Sequence, residues 1–298
     1  MMAPRVVIFC CSPGKPDRLD EDWSREAEAA RNAGFATALI DHDAVVAGKL
    51  TRAVARIPQA DRTATAIYRG WMLTVEQYGR LFEALLAKGV TLINGPSQYA
   101  FCHHIPGWYA AFDKHTPRSR WLSHGPPFSR DEIVAVLAGW TGGAIVKDYV
   151  KSEKHAWLEA CFLPDVTDIN DVERVVRRFT ELRGVDFAGG LVFREFVSLR
   201  AIGQHPQSGM PISNEWRLFW ATGKPIACSP YWEATADREP NVAEFASLAR
   251  EVKSDFFAMD LAQRQDGSWL ILELGDGQVS GLPERMDAGA FYRSLAHI

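Results

Sequence analysis

The chain has 298 residues, 47% hydrophobic and 23% charged, with a formal net charge of −4, so it can bury a large core in two or three lobes. The slight negative charge provides no basic surface for nucleic acid, and no apolar run approaches the length of a membrane span. Five cysteines in so long a chain fit reduced thiols, and together these features predict a cytoplasmic protein that binds neither nucleic acid nor membrane.

The first predicted domain, residues 1–95, alternates strands and helices. Thr74 and Gln77 form a capping-box signal at a helix start, and Gly34 and Gly89 are stop signals after two helices. The predicted order is strand 6–10, helix 22–32, strand 35–40, strand 65–68, helix 74–88 and strand 90–93. This order predicts a small Rossmann-like α/β sheet at the N-terminus.

Two further domains are predicted, 96–183 and 184–298, and they make the whole chain a mixed α/β (α+β) protein. The second opens with an irregular stretch rich in aromatic residues and histidine, and the third is rich in strands. In the second, the predicted elements are a helix over 129–138, a strand over 144–150 and a helix over 168–182. In the third, they are strands over 190–197, 215–221 and 225–229, a helix over 242–252 and a C-terminal hairpin.

The C-terminal hairpin carries the most informative pair of residues. Its apolar strands flank a turn at Asp266 and Gly267, and each strand contains one acid, Asp260 or Glu273. Strands disfavour acids, and two neighbouring carboxylates repel each other unless a proton or a metal ion separates them. The hairpin therefore indicates either a shared Mg²⁺, which binds one or two carboxylates together with nucleotide phosphates, or two ordinary surface acids.

The segment 275–278, directly after the second hairpin strand, favours the metal interpretation. It is a flexible, polar exit from an apolar strand, and such a segment can aim a further oxygen ligand at a bound ion. Asp276 is the candidate ligand on this segment.

Several basic residues interrupt apolar strands upstream of the hairpin. Lys147 must either reach the edge of its sheet or meet an anion, and the polar loop that follows, with Lys151 and Lys154, is either a phosphate-binding lid or a solvated turn. Arg194 and Arg217 lie in two other strands, where a buried arginine needs a partner. That partner is either a phosphate or a carboxylate of the protein.

Arg69 and Trp71 follow the predicted strand 65–68, at the edge where open α/β sheets bind ligands. They are candidates for recognising an acid substrate, and the alternative is an arginine stacked on Trp71 at the surface. The sequence has no P-loop, Gly-x-Ser-x-Gly or Gly-x-Gly-x-x-Gly motif, which argues against P-loop, hydrolase and nicotinamide enzymes.

Taken in order, these motifs resemble the ATP-grasp superfamily, and most closely its bacterial and phage-associated clade defined by two arginines and one lysine. The resemblance covers nearly the whole chain and implies an ATP-grasp fold with an N-terminal pre-ATP-grasp domain. It rests on Lys147 and its basic loop, Arg194 with Glu195, Glu215 with Arg217, Asp260 and Glu273, and on the phrases over 68–73, 92–96, 109–117 and 273–278.

The resemblance also implies a role for each candidate residue. Lys147 would contact the α- and β-phosphates of ATP, and Lys151 and Lys154 would lie in a mobile lid over them. The remaining implied roles are an adenine hinge formed by Glu195, Phe196 and Val197, arginines facing the phosphates or an acyl phosphate at Arg194 and Arg217, and Mg²⁺ ligands at Asp260, Glu273 and Asp276. The family's usual asparagine ligand, two residues after the glutamate, is Gly275 in this chain.

The implied activity is that of an ATP- and Mg²⁺-dependent carboxylate–amine ligase, which activates an acid as an acyl phosphate and releases ADP and phosphate. Its expected substrates are a small-molecule or peptide carboxylate and an amine. One alternative is a phosphotransferase that uses the same ATP site, and another is a catalytically silent nucleotide-binding or interaction protein. The apolar and aromatic content is compatible with a homodimer.

Overall fold

A computed structural model describes residues 6–60, 64–233 and 238–298. The N-terminal part forms a five-stranded sheet in which β1 pairs in parallel with β3 and β4, β4 pairs in parallel with β5, and β2 pairs antiparallel with β1. Its elements are β1 (Val6–Ser12), β2 (Lys15–Leu19), a 3-10 helix (Glu21–Trp23), α1 (Ser24–Asn32), β3 (Ala36–Ile40), α2 (His42–Val46), α3 (Leu50–Ala53), β4 (Ala64–Arg69), α4 (Val75–Leu86) and β5 (Val90–Leu92). The predicted α/β sheet is confirmed.

Helix α4 shows why the local sequence signals worked here. The Thr74 hydroxyl accepts the Gln77 backbone N–H, and the Gln77 side chain accepts the Thr74 N–H, which completes the predicted capping box. Tyr78, Leu81 and Leu85 form its buried stripe. The helix therefore presents one apolar face to the sheet.

The middle of the chain forms an antiparallel sheet with the strand order β6–β9–β7–β8. Its elements are α5 (Pro96–His103), α6 (Ile105–Phe112), β6 (Ser119–Leu122), α7 (Arg130–Leu137), β7 (Ala144–Lys147), a 3-10 helix (Lys154–Ala156), a π-helix (Trp157–Cys161), β8 (Phe162–Leu163), α8 (Ile169–Arg183), a 3-10 helix (Gly184–Asp186) and β9 (Leu191–Glu195). The second predicted domain ends at residue 183, but β9, which follows that residue, belongs to this sheet. The division into three domains stays a prediction.

Helices α5 and α6 correct the prediction that the second region begins irregularly. Pro96 and Pro106 lie in the first turns of the two helices, where a missing N–H costs no hydrogen bond. Neither helix shows a clear amphipathic pattern in its sequence, because the apolar Phe101 lies away from the buried face of α5, and that face itself contains His103. The prolines and the Gln98 cap of α5 were the usable signals.

The C-terminal part forms a second antiparallel sheet, with the order β13–β12–β14–β15, and a separate two-stranded ribbon β10–β11. Its elements are β10 (Ala201–Gln204), β11 (Pro211–Ser213), β12 (Glu215–Ala221), β13 (Lys224–Pro230), a 3-10 helix (Val242–Phe245), α9 (Ala246–Ala249), β14 (Phe256–Gln263), β15 (Trp269–Asp276) and α10 (Ala288–Leu295). The predicted hairpin is confirmed as β14–β15, and the helix predicted over 242–252 is shorter and begins as a 3-10 helix.

The C-terminal sheet and the N-terminal sheet share one hydrophobic core. Phe219 and Phe256 of the former, together with Phe291 of α10, pack with buried residues of β1 and β4. Helix α10, near the C-terminus, packs against α1 of the N-terminal part. Within the described ranges, no helix is both long and apolar enough to cross a membrane.

Candidate active site

Three charged side chains lie opposite one another on adjacent strands of the C-terminal sheet. Arg217 of β12 pairs with Asp260 of β14, and Asp260 pairs with Glu273 of β15. Directly opposed residues share one face of a sheet, so all three side chains project to the same side. Arg217 donates from Nε and Nη2 to the two Asp260 oxygens, at 2.7 Å each. This bidentate geometry is the strong form of an arginine–carboxylate pair.

Lys147 approaches the same face from the middle sheet. It is the last residue of β7, and its Nζ lies 2.8 Å from Glu273 Oε1. The Lys147 side chain is buried and meets an anion, here a carboxylate of the protein. We call Lys147, Arg217, Asp260 and Glu273 the cleft cluster.

The electrostatics of the cleft cluster keep Glu273 ionised. Burial opposes its charge, but the nearby Lys147 ammonium, helped by Lys154 and Lys151, outweighs burial and lowers the pKa of Glu273 to about 2. The Glu273 side chain is still 41% exposed, whereas Lys147 is buried. The Glu273 carboxylate is therefore accessible from the surface.

The donor set of the cleft cluster fits Mg²⁺. This ion takes one or two protein carboxylates and fills its other positions with water and nucleotide oxygens. Asp260 and Glu273 supply two such carboxylates on facing strands. Among the residues that the structure describes, no group of three or more histidine, cysteine, aspartate or glutamate side chains is arranged to hold a metal.

The structure does not bring Asp276 to the cleft cluster. On β15 it follows Glu273 by an odd number of residues in unbroken register, so its side chain projects from the opposite face of the sheet. It is fully buried, and Asn94 donates to its Oδ2 at 2.6 Å. Burial raises its pKa to about 6. Through these contacts, the sequence motifs around Asn94 and Asp276 join the first sheet to β15.

At Gly275, a side chain would displace a neighbouring hydroxyl group. A Cβ added at Gly275 would lie 2.6 Å from the Ser280 hydroxyl, which donates to the Asp276 carbonyl. Gly275 shares its face with Glu273, so the hydroxyl of Ser280 occupies the space beside the glutamate.

Arg194 lies behind Glu273. Its guanidinium is buried and donates to the Ser119 hydroxyl at 3.0 Å, the Thr116 hydroxyl at 2.8 Å and the Leu272 carbonyl at 2.6 Å. Burial lowers the pKa of Arg194 to about 10, opposed by the Glu273 charge. The positive charge of Arg194 is therefore held next to β15 by hydrogen bonds to two hydroxyl groups and a carbonyl, none of which is charged.

The predicted hinge lies at the end of β9, beside an aromatic wall that the sequence analysis missed. The Phe196 ring is 37% exposed and contacts Phe162 and Trp157, with centroids 4.7 and 6.0 Å away. Phe162 and Trp157 stack in parallel at 5.2 Å. Glu195 ends β9 and Val197 follows the wall. The available signal was the pair of aromatic residues that follows the basic loop.

Arg69 and Trp71 are placed differently from each other. Arg69 is fully buried and donates to both Glu26 oxygens, at 2.9 and 2.8 Å, and to the carbonyls of Gly277 and Ser280. Its guanidinium is thus occupied inside the protein, so the alternative of an exposed arginine stacked on Trp71 is wrong. Trp71 remains 41% exposed and is open to a ligand.

The buried polar contacts behind the sheet form a second group of charges. We call it the interior cluster and define it by five residues, Glu26, Arg69, Asn94, Asp276 and Gln278. Gln278 accepts the Tyr68 N–H at 3.1 Å and donates to Asp276 at 3.2 Å. The cluster joins the N-terminal sheet to the segment that follows β15.

A family model matches residues 137–295, more than half of the chain. It describes an ATP-grasp domain, family 3 of the clade with two arginines and one lysine. The matched range contains the whole cleft cluster. No curated protein matches the chain.

Solved structures with a similar fold cover almost the whole chain. They include a RimK domain ATP-grasp protein from Sphaerobacter thermophilus, with 15% identity, 97% of this chain and 98% of that chain covered and a TM-score of 0.61. The D-alanine–D-alanine ligase from Coxiella burnetii has 12% identity, coverage of 99% and 94% and a TM-score of 0.61. The ATP-grasp ligase PsnB, solved with the precursor peptide PsnA2 and AMPPNP, has 15% identity, coverage of 99% and 97% and a TM-score of 0.57. At these identities the likeness shows the fold.

Proposed function

We propose that this chain, which belongs to the ATP-grasp superfamily, in family 3 of its two-arginine, one-lysine clade, joins a carboxylate to an amine through an acyl phosphate. The enzymes of this superfamily use ATP and Mg²⁺. The cleft cluster is the observation that carries this proposal. Phosphoryl transfer needs positioning and charge neutralisation more than a nucleophilic side chain. Two carboxylates and two cations that converge from two sheets supply both.

In the proposed site, Asp260 and Glu273 would hold Mg²⁺, which would neutralise charge on the phosphate oxygens. Lys147 and Arg217 then exchange a carboxylate partner for the nucleotide phosphates or the acyl phosphate. The ion pairs of the cleft cluster support this exchange, because they keep both cations within reach of the metal ligands before a nucleotide arrives.

The proposed nucleotide site continues on both sides of the cleft cluster. The segment of Glu195, Phe196 and Val197 would hydrogen-bond the adenine edge through backbone groups other than the Glu195 and Phe196 N–H groups, which already donate to the Arg118 and Gly143 carbonyls. The aromatic wall beside Phe196 supports a planar ring at this place. Lys151 and Lys154 lie over the phosphates. Their electrostatic effect on Glu273 supports that position.

We propose a positioning role for Arg194. Its hydrogen bond to the Leu272 carbonyl fixes β15 directly before Glu273, and its charge favours the ionised carboxylate. Its burial supports this role over direct contact with the acyl phosphate.

The proposed substrates are a small-molecule or peptide carboxylate and an amine. Exposed Trp71, at the carboxyl end of β4, is the proposed substrate contact, whereas the proposed role of Arg69 is structural. PsnB was solved with a precursor peptide, and a peptide substrate is a proposal for this chain. A homodimer and a cytoplasmic location also stay predictions.

One observation favours a second candidate function. Gly275 leaves the metal with two protein carboxylates, so a nucleotide-binding protein that does not turn ATP over is the alternative. A phosphotransferase remains the other predicted alternative and would release a stable phosphorylated product without an amine.

The first test is the melting temperature with AMPPNP, with and without Mg²⁺, for the wild type and for Glu273→Gln. Binding to the folded state raises the melting temperature as the ligand saturates its site. We expect a Mg²⁺-dependent rise in the wild type that the variant loses. ADP release with a panel of acids and amines then separates the candidates, because only a ligase requires both substrates.

A further inference from the structure

The loop that follows Lys147 is held by a buried carboxylate. Asp148 is fully buried, and its Oδ1 accepts the backbone N–H groups of Val150 and Lys151 at 2.7 and 2.6 Å. Its Oδ2 accepts the Ala188 N–H at 3.1 Å and Arg183 Nε at 3.0 Å. These bonds end β7 at Lys147, earlier than the predicted residue 150, because the Asp148 side chain turns the backbone.

Arg183 ties both ends of this loop to the end of helix α8. Besides its bond to Asp148, it donates from Nη1 to Glu153 Oε1 at 3.3 Å and from Nη2 to the Asp186 carbonyl at 2.6 Å. Glu153 is buried as well. One planar guanidinium therefore bridges the first and last residues of the segment 148–153 from separate nitrogens, a geometry that the single nitrogen of a lysine does not reproduce.

The loop is also fixed from its other side. A Cβ at Gly189 would lie 2.2 Å from the Tyr149 ring, and a Cβ at Gly190 would lie 2.0 Å from the Leu122 carbonyl and 2.8 Å from the same ring. Gly189 has a φ of +73°, which L side chains rarely adopt. Two glycines thus let Tyr149 pack flat on the backbone before β9.

We propose that Asp148 and Arg183 are positioning residues that hold segment 148–153 as a preformed phosphate-binding loop. The inference rests on the proposed ATP site. In place of the mobile lid predicted from the sequence, a rigid turn fixes Lys147 and Lys151 on either side of Asp148 before the nucleotide binds. Preorganised cations bind an anion without paying the ordering cost at the moment of binding.

The chemistry of the support explains why it is charged. A buried carboxylate that accepts four N–H groups is stable, and removing its arginine partner leaves a buried charge that the loop must rearrange to solvate. Loss of Arg183 should therefore loosen the loop while the sheet remains intact. The expected consequence falls on the phosphates and spares the adenine.

The test compares two ligands on three proteins: the wild type, Arg183→Lys and the control Arg177→Ala, which changes an exposed arginine of the same helix. We expect Arg183→Lys to weaken Mg²⁺–AMPPNP binding about tenfold, with a matching rise in the KM for ATP, because one ammonium nitrogen cannot reproduce all three contacts of the guanidinium. Adenosine affinity should stay within about twofold, since adenosine lacks phosphates. Arg177→Ala should change neither affinity.

The outcomes separate this inference from the proposed function. If Arg183→Lys binds Mg²⁺–AMPPNP like the wild type, or loses adenosine and AMPPNP affinity equally, Arg183 does not position a phosphate loop. If the wild type binds neither ligand, the proposed function is wrong, and this inference, which depends on it, is wrong as well.

A second measurement needs neither a variant nor a nucleotide. Hydrogen–deuterium exchange of the ligand-free wild type should show slow exchange at the amides of Val150, Lys151 and Ala188, which donate to Asp148. Exchange as fast as that of an exposed loop would mean that the loop is a mobile lid and would overturn the inference.

Discussion

The cleft cluster and the interior cluster contain the same kinds of residues and differ in what can reach them. Both pair an arginine with a carboxylate in a bidentate geometry, Arg217 with Asp260 and Arg69 with Glu26. In the interior cluster the arginine is fully buried, and two backbone carbonyls occupy its remaining donors. In the cleft cluster, Glu273 is partly exposed.

This difference shows that a charged residue in an apolar strand is not by itself a sign of a ligand site. A buried ion pair with all its hydrogen bonds made inside the protein serves to join two parts of the fold, because breaking it leaves an uncompensated charge. The Asp260 side chain is as buried as that of Glu26, but Arg217 is 15% exposed and the neighbouring Glu273 is 41% exposed, so the cleft cluster can exchange a partner for a metal ion or a phosphate. The variants below test the two clusters against each other.

The largest expected effect is on the interior cluster. Arg69→Ala leaves Glu26 buried without a cation, so we expect the free energy of unfolding to fall by about 3–5 kcal/mol. Urea unfolding followed by circular dichroism measures this loss. A variant as stable as the wild type would show that Arg69 is free to bind a ligand, as the sequence first indicated.

In the cleft cluster, Asp260→Asn should reduce turnover by about 10²–10³-fold, since it removes one of two metal carboxylates. The amide keeps one oxygen for Arg217 but presents an N–H group to the other guanidinium donor, so we expect a loss of stability of about 1–3 kcal/mol in a variant that stays folded, with the Gly281 carbonyl still accepting from Arg217. ADP release and thermal unfolding on the same preparation measure the two effects. A collapse of the melting temperature would assign Asp260 to the fold instead of the site.

How far the sequence predicts this molecule depends on whether a feature is local. Capping residues, helix stops and alternating strands are local, so the capped helix α4 and the hairpin β14–β15 were predicted close to their observed bounds. Helices α5 and α6 were missed because apolar residues such as Phe101 and Ala110 lie outside the buried faces and obscure the amphipathic period.

The candidate site shows the same limit at the level of single side chains. The alternation of strands predicts that Asp260 and Glu273 come together, and the register shows that they do. Asp276 was grouped with them by proximity in sequence, but an odd offset on a strand reverses the face. The support from Arg183 was not predictable, since the end of α8 meets Asp148 only through the tertiary fold.

Asp276→Asn sharpens the comparison with a smaller effect. Asn94 and Gln278 both donate to the Asp276 carboxylate, and an amide would present one donor to them, so we expect a loss of about 1–3 kcal/mol in stability. The Mg²⁺-dependent rise in melting temperature with AMPPNP should remain, in contrast to Asp260→Asn. If that rise disappears while the variant is folded, Asp276 belongs to the metal site after all.

The smallest effect concerns the pH dependence of the cleft cluster. Burial opposes the charge of Glu273, but Lys147 outweighs it, and the pKa falls from 4.5 to about 2. The folded state therefore binds its proton more weakly than the unfolded state, and the stabilisation is complete above pH 4.5 and lost as the pH falls towards 2. Because Glu273 is partly exposed, screening limits this contribution to less than about 1 kcal/mol.

Lys147→Met should flatten the loss of stability between pH 4.5 and pH 2 relative to the wild type, because the lysine is the main source of the lowered pKa. The matched control is Arg80→Met, which removes an exposed ion pair with Glu76 on α4 and leaves the cleft unchanged. Unfolding in urea at several pH values measures the three curves. A Lys147→Met curve parallel to that of the wild type would mean that Lys147 and Glu273 are not coupled. It would contradict the proposal that Lys147 exchanges Glu273 for a phosphate.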